Sequence, residues 1–224
     1  MKQIKLLFLL ASASVTGVFA QSNGLTDMSQ SRYAKMANTG INAVHWTNGF
    51  WGERFNVFSG TSLQSMWNTW NTPEVSHGFR NFEIAAGVCK GEHWGPPFHD
   101  GDMYKWMEGV ASVYAVNKDP ELDKLMDNFI ACVVKAQRAD GYIHTPVVIE
   151  ELNKGIDSHT LADSQQQTVI GTKVGAEDEK GAFANRLNFE TYNLGHLMMA
   201  GIVHRRATGK TTLFDAAVKA TDFL

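Results

Sequence analysis

Asp100 and Asp102 flank Gly101 just ahead of a stretch of periodic apolar residues, and that spacing can serve two purposes. Carboxylates at a loop end accept hydrogen bonds from hydroxyl-rich ligands such as sugars, whereas Asp102 can equally cap a helix and Asp100 can serve a turn. Glu190, Tyr192 and His196 form a second set, at i, i+2 and i+6. About 600° of rotation separates Glu190 from His196, which puts them on different helix faces and argues against one cluster. Glu190 either complements the positive end of a helix or meets a ligand, and His196 reads as a hydrogen-bonded packing residue. His144 follows Tyr142 after an Asp140-Gly141 turn and is a candidate polar contact, with solvent exposure the alternative. All six Trp residues lie at or before position 106. Trp94, in HWGPPFHDGD, is the best candidate for a flat aromatic platform against a ligand, while Trp106 falls on a helical stripe and belongs to a core.

Metal chemistry has no support in the spacing. Cys89 and Cys132 are the only cysteines, and neither sits in a C-x-x-C or Cys/His ligand pattern. Cys132 lies among apolar helical positions and reads as a buried thiol, although an exported pair of cysteines could join.

The elements that must position these residues are helical. From Asp119 to Gln137 the apolar residues Leu122, Leu125, Met126, Phe129, Ile130, Val133 and Val134 recur at three- and four-residue steps. Asp119 is a good N-cap, Pro120 suits the first helical position and Asp140-Gly141 closes the unit. Asp102 to Val116 carries a second stripe, and only Asn117 and Lys118 separate the two, so they form an antiparallel hairpin. The grammar returns from Glu190 to Thr208, closed by Gly209, and again after Thr211 or Thr212. Weaker helical signals cover Thr61 to Trp70 and Phe79 to Val88. The stretch from Val147 to Leu187 has no sustained apolar stripe and reads as a long loop, with a short strand expected at Thr168 to Ile170. The fold class is all-α, and repeated hairpins joined by long loops suit an α/α toroid, a plain bundle or a solenoid.

With 224 residues, 44% apolar, the chain can bury an ordinary core. A formal charge of −3 without a basic run gives no footprint for nucleic acid. Lys2 and Lys5, the apolar stretch opening at Leu6 to Ala11, and Val18-Phe19-Ala20 read as a signal peptide over residues 1–20. Ser12, Ser14, Thr16 and Gly17 break the run too early for a spanning helix, so the expectation is a periplasmic or secreted protein, free of the membrane after cleavage. One domain then occupies residues 21–224.

Three ordered stretches resemble a known family. FHDGDMYKW at 98–106 is similar to an Asp-x-Asp-x-x-Lys-Trp signature, AQRADGYIHT at 136–145 to an Ala-Gln-x-x-Asp-Gly-Tyr-x-x-Thr turn, and ETYNLGHLMMAGIVHRRATG at 190–209 to a Glu-x-Tyr-x-x-Gly-His helix. Together they resemble glycoside hydrolase family 127, the β-L-arabinofuranosidases, and its relatives. That resemblance implies part, about half, of an (α/α)6 barrel, and a substrate of β-linked L-arabinofuranose in plant glycans. It also implies a zinc-held cysteine nucleophile with a Glu acid/base in the full-length family enzyme. Those residues come after the region matched here, so no catalytic residue and no bound zinc are expected in this chain. Asp100, Asp102, Trp94, His144 and Glu190 are the expected substrate contacts. Phe189 stands where characterised relatives carry a sugar-contacting His, which points to a different pocket.

The segment after Thr211 has no Gly, Asn or Pro stop, and about six helices are legible against the roughly twelve of a closed toroid, so a partial, inactive barrel is expected. Two rival readings are another α/α-toroid activity, such as unsaturated glucuronyl hydrolysis or polysaccharide elimination, and a non-catalytic glycan-binding fragment.

Overall fold

The computed structural model describes residues 24–156, 183 and 186–224. The expected leader at 1–20 and the strand expected at Thr168 to Ile170 lie outside the described residues. Within them the chain forms α1 (Gly49–Val57), α2 (Leu63–Trp70), α3 (Gly78–Ala85), α4 (His99–Asn117), α5 (Pro120–Ala136), α6 (Thr145–Asn153), α7 (Glu190–Thr208) and α8 (Thr212–Asp222). No strand occurs among the described residues, and none of their helices is long and apolar enough to cross a membrane.

The α4–α5 hairpin forms as its sequence dictates. Asp119 is the N-cap, its carboxylate accepting from the Glu121 N–H at 2.9 Å, and Pro120 opens α5. The joining turn is tight because Lys118 adopts φ 55°, a left-handed conformation that ends α4. Met126, Phe129, Ile130 and Val133 are the buried face of α5, and Phe129 meets Phe82 and Trp106 at ring distances of 5.1 and 6.3 Å. Trp106 is buried, stacks on Trp67 at 4.9 Å and donates its indole N–H to the Leu63 carbonyl at 3.3 Å. Each such large side chain contributes roughly 1.5–3 kcal/mol by leaving water.

The α7–α8 hairpin repeats the arrangement, with Gly209 at φ 80° closing α7. α4 and α7 lie side by side and parallel: Gly101 meets Asn193 near their N-termini and Lys118 meets the Ala207 carbonyl near their C-termini. A Cβ on Gly101 would fall 2.7 Å from the Asn193 Oδ1, so a larger residue would push the Asn193 side chain out of this position. α5 and α8 run the opposite way, joined by Gln137, whose side-chain amide donates to the Ala216 carbonyl at 2.9 Å. Two parallel helices, each backed by an antiparallel partner, make neighbouring hairpins of an (α/α)6 barrel, and the all-helical expectation holds.

Three boundaries differ from the sequence expectation. α4 starts at His99, so Asp102 is inside the first turn and does not cap the helix. The helix expected from Thr61 begins at Gly49 and runs through a π turn at Phe58–Ser62 into α2. Its exposed aromatics, Phe50 and Trp51, blur the periodicity. The loop expected from Val147 contains most of α6. There Pro146, Val147, Val148 and Ile149 are consecutive and all buried, so a helix enclosed on most sides shows no stripe.

Candidate functional site

The N-termini of α4 and α7 reach the same end of the molecule as the turn after α5 and the start of α6, and this end gathers the polar residues. Asp100 is 2% exposed, and both its oxygens are engaged by the first residue of α6: Thr145 donates its N–H at 2.8 Å and its hydroxyl at 2.6 Å. The carboxylate therefore caps a helix that begins 45 residues later. Burial pushes its pKa up, but hydrogen bonds from His144 and Thr145 outweigh that and hold it below the usual carboxylate range.

His144 is fully buried, not solvent exposed as the alternative had it. It is the N-cap residue of α6, its Nδ1 lies 3.5 Å from Asp100, and its Nε2 has no protein hydrogen-bond partner. Glu190 opens α7 and is also buried. Tyr142 donates its hydroxyl to one Glu190 oxygen, and the Phe183 N–H donates to the other at 2.9 Å. Burial, then the Glu190 charge, pushes the Tyr142 phenol well above its ordinary value, so it remains a donor. Asp100 and His144 thus share one cluster, and Glu190 anchors the chain around it.

Asp102 and Trp94 stay accessible. Asp102 pairs with Lys105 at 2.8 Å, and Lys105 donates to the Tyr192 hydroxyl at 2.8 Å, giving a polar chain across α4 and α7. Trp94 is 51% exposed, yet its backbone is clamped by the buried Asn81, which donates to its carbonyl at 3.0 Å and accepts from its N–H at 3.3 Å. The indole packs edge-on to His77 at 5.1 Å. His196 lies apart from Glu190, 3.5 Å from Glu108, as the 600° separation requires.

Phe189 occupies the left-handed region at φ 58° and packs edge-on to Phe98 at 5.5 Å and Tyr192 at 6.1 Å. A bulky residue held there stores backbone strain of order 1–3 kcal/mol, which accumulates at functional sites.

Two central residues escaped the sequence reading. Asn193 accepts from the Gly101 N–H at 3.0 Å and donates to the Pro97 carbonyl at 2.9 Å, tying α7 to α4 and to the loop before it. Its signal was a polar residue on the buried line of Leu197, Ala200 and His204. Arg138 is buried between Asp140 at 2.6 Å and Glu151 at 3.1 Å, with its guanidinium 4.9 Å from the Tyr142 ring centre. Gly141, at φ 105°, leaves no room for a Cβ against the Lys219 carbonyl, so the DGY turn packs directly on α8.

The described residues do not fit a zinc centre. No group of three or more His, Cys, Asp or Glu among them could hold a metal. Cys89 and Cys132 are free, and burial raises both thiols, the opposite of what a thiolate ligand needs.

Comparison with known proteins agrees with this architecture. The family model for the beta-L-arabinofuranosidase, GH127 catalytic domain, matches residues 43–224. A non-reducing end beta-L-arabinofuranosidase of Bifidobacterium longum subsp. longum is 31% identical over 149 residues, which cover 66% of this chain and 19% of that protein. The crystal structure of a GH127 beta-L-arabinofuranosidase from Geobacillus stearothermophilus T6 superposes with a TM-score of 0.63 at 31% identity, over 80% of this chain and 25% of that one. A further solved structure, described as a glycoside hydrolase, is 65% identical with a TM-score of 0.56, covering 90% of this chain and 22% of its own. The chain thus spans about a fifth of the curated relative and about a quarter of the solved ones. On the match over residues 43–224, this chain belongs to glycoside hydrolase family 127 and carries part of its catalytic domain.

Proposed function

We propose that this chain forms one wall of the sugar pocket of an exported β-L-arabinofuranosidase-type enzyme acting on arabinose-containing plant glycans, and that the 224 residues alone do not turn substrate over. The family match over residues 43–224 carries the reading. The zinc and cysteine nucleophile expected of the whole enzyme have no counterpart among the described residues, so this reading assigns them to other parts of the protein. The leader-like residues 1–20 support export to the periplasm or beyond.

The roles divide by exposure. Trp94 offers a fixed, half-exposed aromatic face for a sugar ring, and Asp102, oriented by Lys105, accepts sugar hydroxyls. Asp100 and Glu190 have their oxygens occupied by protein donors and act as positioning residues for α6 and for the start of α7. His144 keeps one ring nitrogen without a protein partner, which leaves it a hydrogen-bonding capacity that Asp100 and Glu190 lack.

Titration of arabino-oligosaccharide followed by tryptophan fluorescence tests this. Binding is expected to change the emission, and Trp94→Ala to weaken it about tenfold, equivalent to roughly 1.4 kcal/mol. Undiminished binding by that variant sinks the platform role, and arabinose release by the wild-type chain sinks the claim of inactivity.

A further inference from the structure

A cleft of about 630 Å³ lies between the 91–97 loop and α6, lined by Glu92, His93, Pro96, Pro97, Ile149 and Asn153 among others. We propose that this cleft is a second saccharide subsite, which takes a neutral sugar unit of the same glycan beyond the ring that meets Trp94. The inference rests on the glycan reading above and adds to it a place and a selectivity.

The lining has the chemistry a sugar requires. Pro96, Pro97, Pro146 and Ile149 supply an apolar surface for the C–H face of a ring, and Glu92, Glu150 and Asn153 supply acceptors and a donor for its hydroxyls. His93 lines the same cleft, and its Nε2 is buried without a hydrogen-bond partner in the protein, a bonding capacity that the protein itself leaves unmet. Burial pushes its pKa down to about 4, so near neutral pH the ring offers one donor and one acceptor.

Both walls are built before a ligand arrives. The Pro97 carbonyl accepts from Asn193 at 2.9 Å, the Pro96 carbonyl from the His99 N–H at 3.1 Å, and Asn153 donates to the Gly91 carbonyl at 3.0 Å. Three prolines further limit the motion of the surface, so little ordering cost opposes binding. The volume falls within the usual range for small-molecule pockets, roughly 300–1,000 Å³, and leaves room for a disaccharide.

The rim is acidic. Its two carboxylates, Glu92 and Glu150, face one ammonium, Lys154, which is already paired with Glu150. A uronate would add a third negative charge, so the cleft selects neutral sugars over acidic ones.

Calorimetry with arabinose, then neutral arabino-oligosaccharides of increasing length, then a uronate-bearing oligosaccharide tests the subsite in the full chain. The longer neutral ligands are expected to bind about tenfold tighter than arabinose. Asn153→Trp, which fills the cleft from an exposed position, removes that gain. Because Asn153→Trp also loses the bond to Gly91, the double variant Glu92→Lys with Glu150→Lys serves as a second probe and gains affinity for the uronate. No gain with length, or the same gain and the same preference in both variants, overturns the subsite while sugar binding stands. Failure of the wild-type chain to bind any of these sugars overturns the glycan reading and this subsite together.

Discussion

At their C-terminal ends α4 and α7 finish on left-handed residues, Lys118 and Gly209, and Lys118 donates to the Ala207 carbonyl at 2.8 Å. Lys210 adds a partly exposed pairing with Asp123 and Asp127. At their N-terminal ends the same two helices bury Asp100, His144, Glu190 and Asn193, with the Arg138, Asp140 and Glu151 group beside them. One end closes with left-handed caps and partly solvated charge. The other holds charged groups out of water, tied to buried partners on other elements. Stability alone is served well by the first arrangement, since exposed pairs cost little and well-packed apolar residues do as much as buried ion pairs. A buried polar end is therefore a cost accepted for a site that must hold its backbone in one geometry.

Substitutions at the two ends should differ accordingly. Arg138→Met leaves Asp140 and Glu151 uncompensated in the interior and is expected to cost about 3–5 kcal/mol, measured by urea denaturation. A loss below about 1 kcal/mol would mean the two ends are energetically alike. Asp100→Ala strands the N–H and hydroxyl of Thr145 and should cost about 2–3 kcal/mol, with amide exchange rising first at the start of α6. Uniform exchange along the chain would remove the tertiary cap from the account.

Acid distinguishes the ends less sharply. His93, at the site end, and His204, buried on α7, are both pushed down to about 4, chiefly by burial and in His204 also by the Lys210 charge. Asp100 opposes the shift at His93, with His77, His99 and His144 reinforcing it, while Asp123 and Asp127 oppose it at His204. The unfolded chain takes up these protons first, so their contribution is complete above about pH 6.5 and is lost as pH falls through about 4. Melting temperature should drop across that window, and His204→Leu should flatten the drop. An unchanged slope would show that His204 does not titrate as its burial requires. The smallest effect belongs to Lys210→Met, expected at under about 1 kcal/mol and reduced further by salt. A loss comparable to that of Arg138→Met would break the contrast.

Much of the helical framework was legible in the sequence because its signals are local. Asp119, Pro120 and Gly209 each act on a backbone within a few residues of themselves, and the cap and both hairpin turns stand where those residues put them. Misreadings arose where burial replaced amphipathicity. α6, with its consecutive apolar residues, offered no solvent face to reveal a period, and the start of α4 lay in a segment whose carboxylates looked like caps for their own helix. The candidate site divides in the same way. The separation of Glu190 from His196 follows from spacing along one helix, whereas Asn193 and Arg138 draw their importance from partners on other elements.

The sequence by itself determined the four long helices, their pairing into the α4–α5 and α7–α8 hairpins, and, through three ordered motifs, the family. The tertiary structure alone decided what the motif carboxylates do: Asp100 caps α6, Glu190 receives Tyr142 and Phe183, and Asp102 stays partly accessible beside Lys105. The reason is physical. A helix is closed by bonds between residues four apart, whereas a buried carboxylate must find donors wherever packing brings them, and no local spacing encodes that meeting.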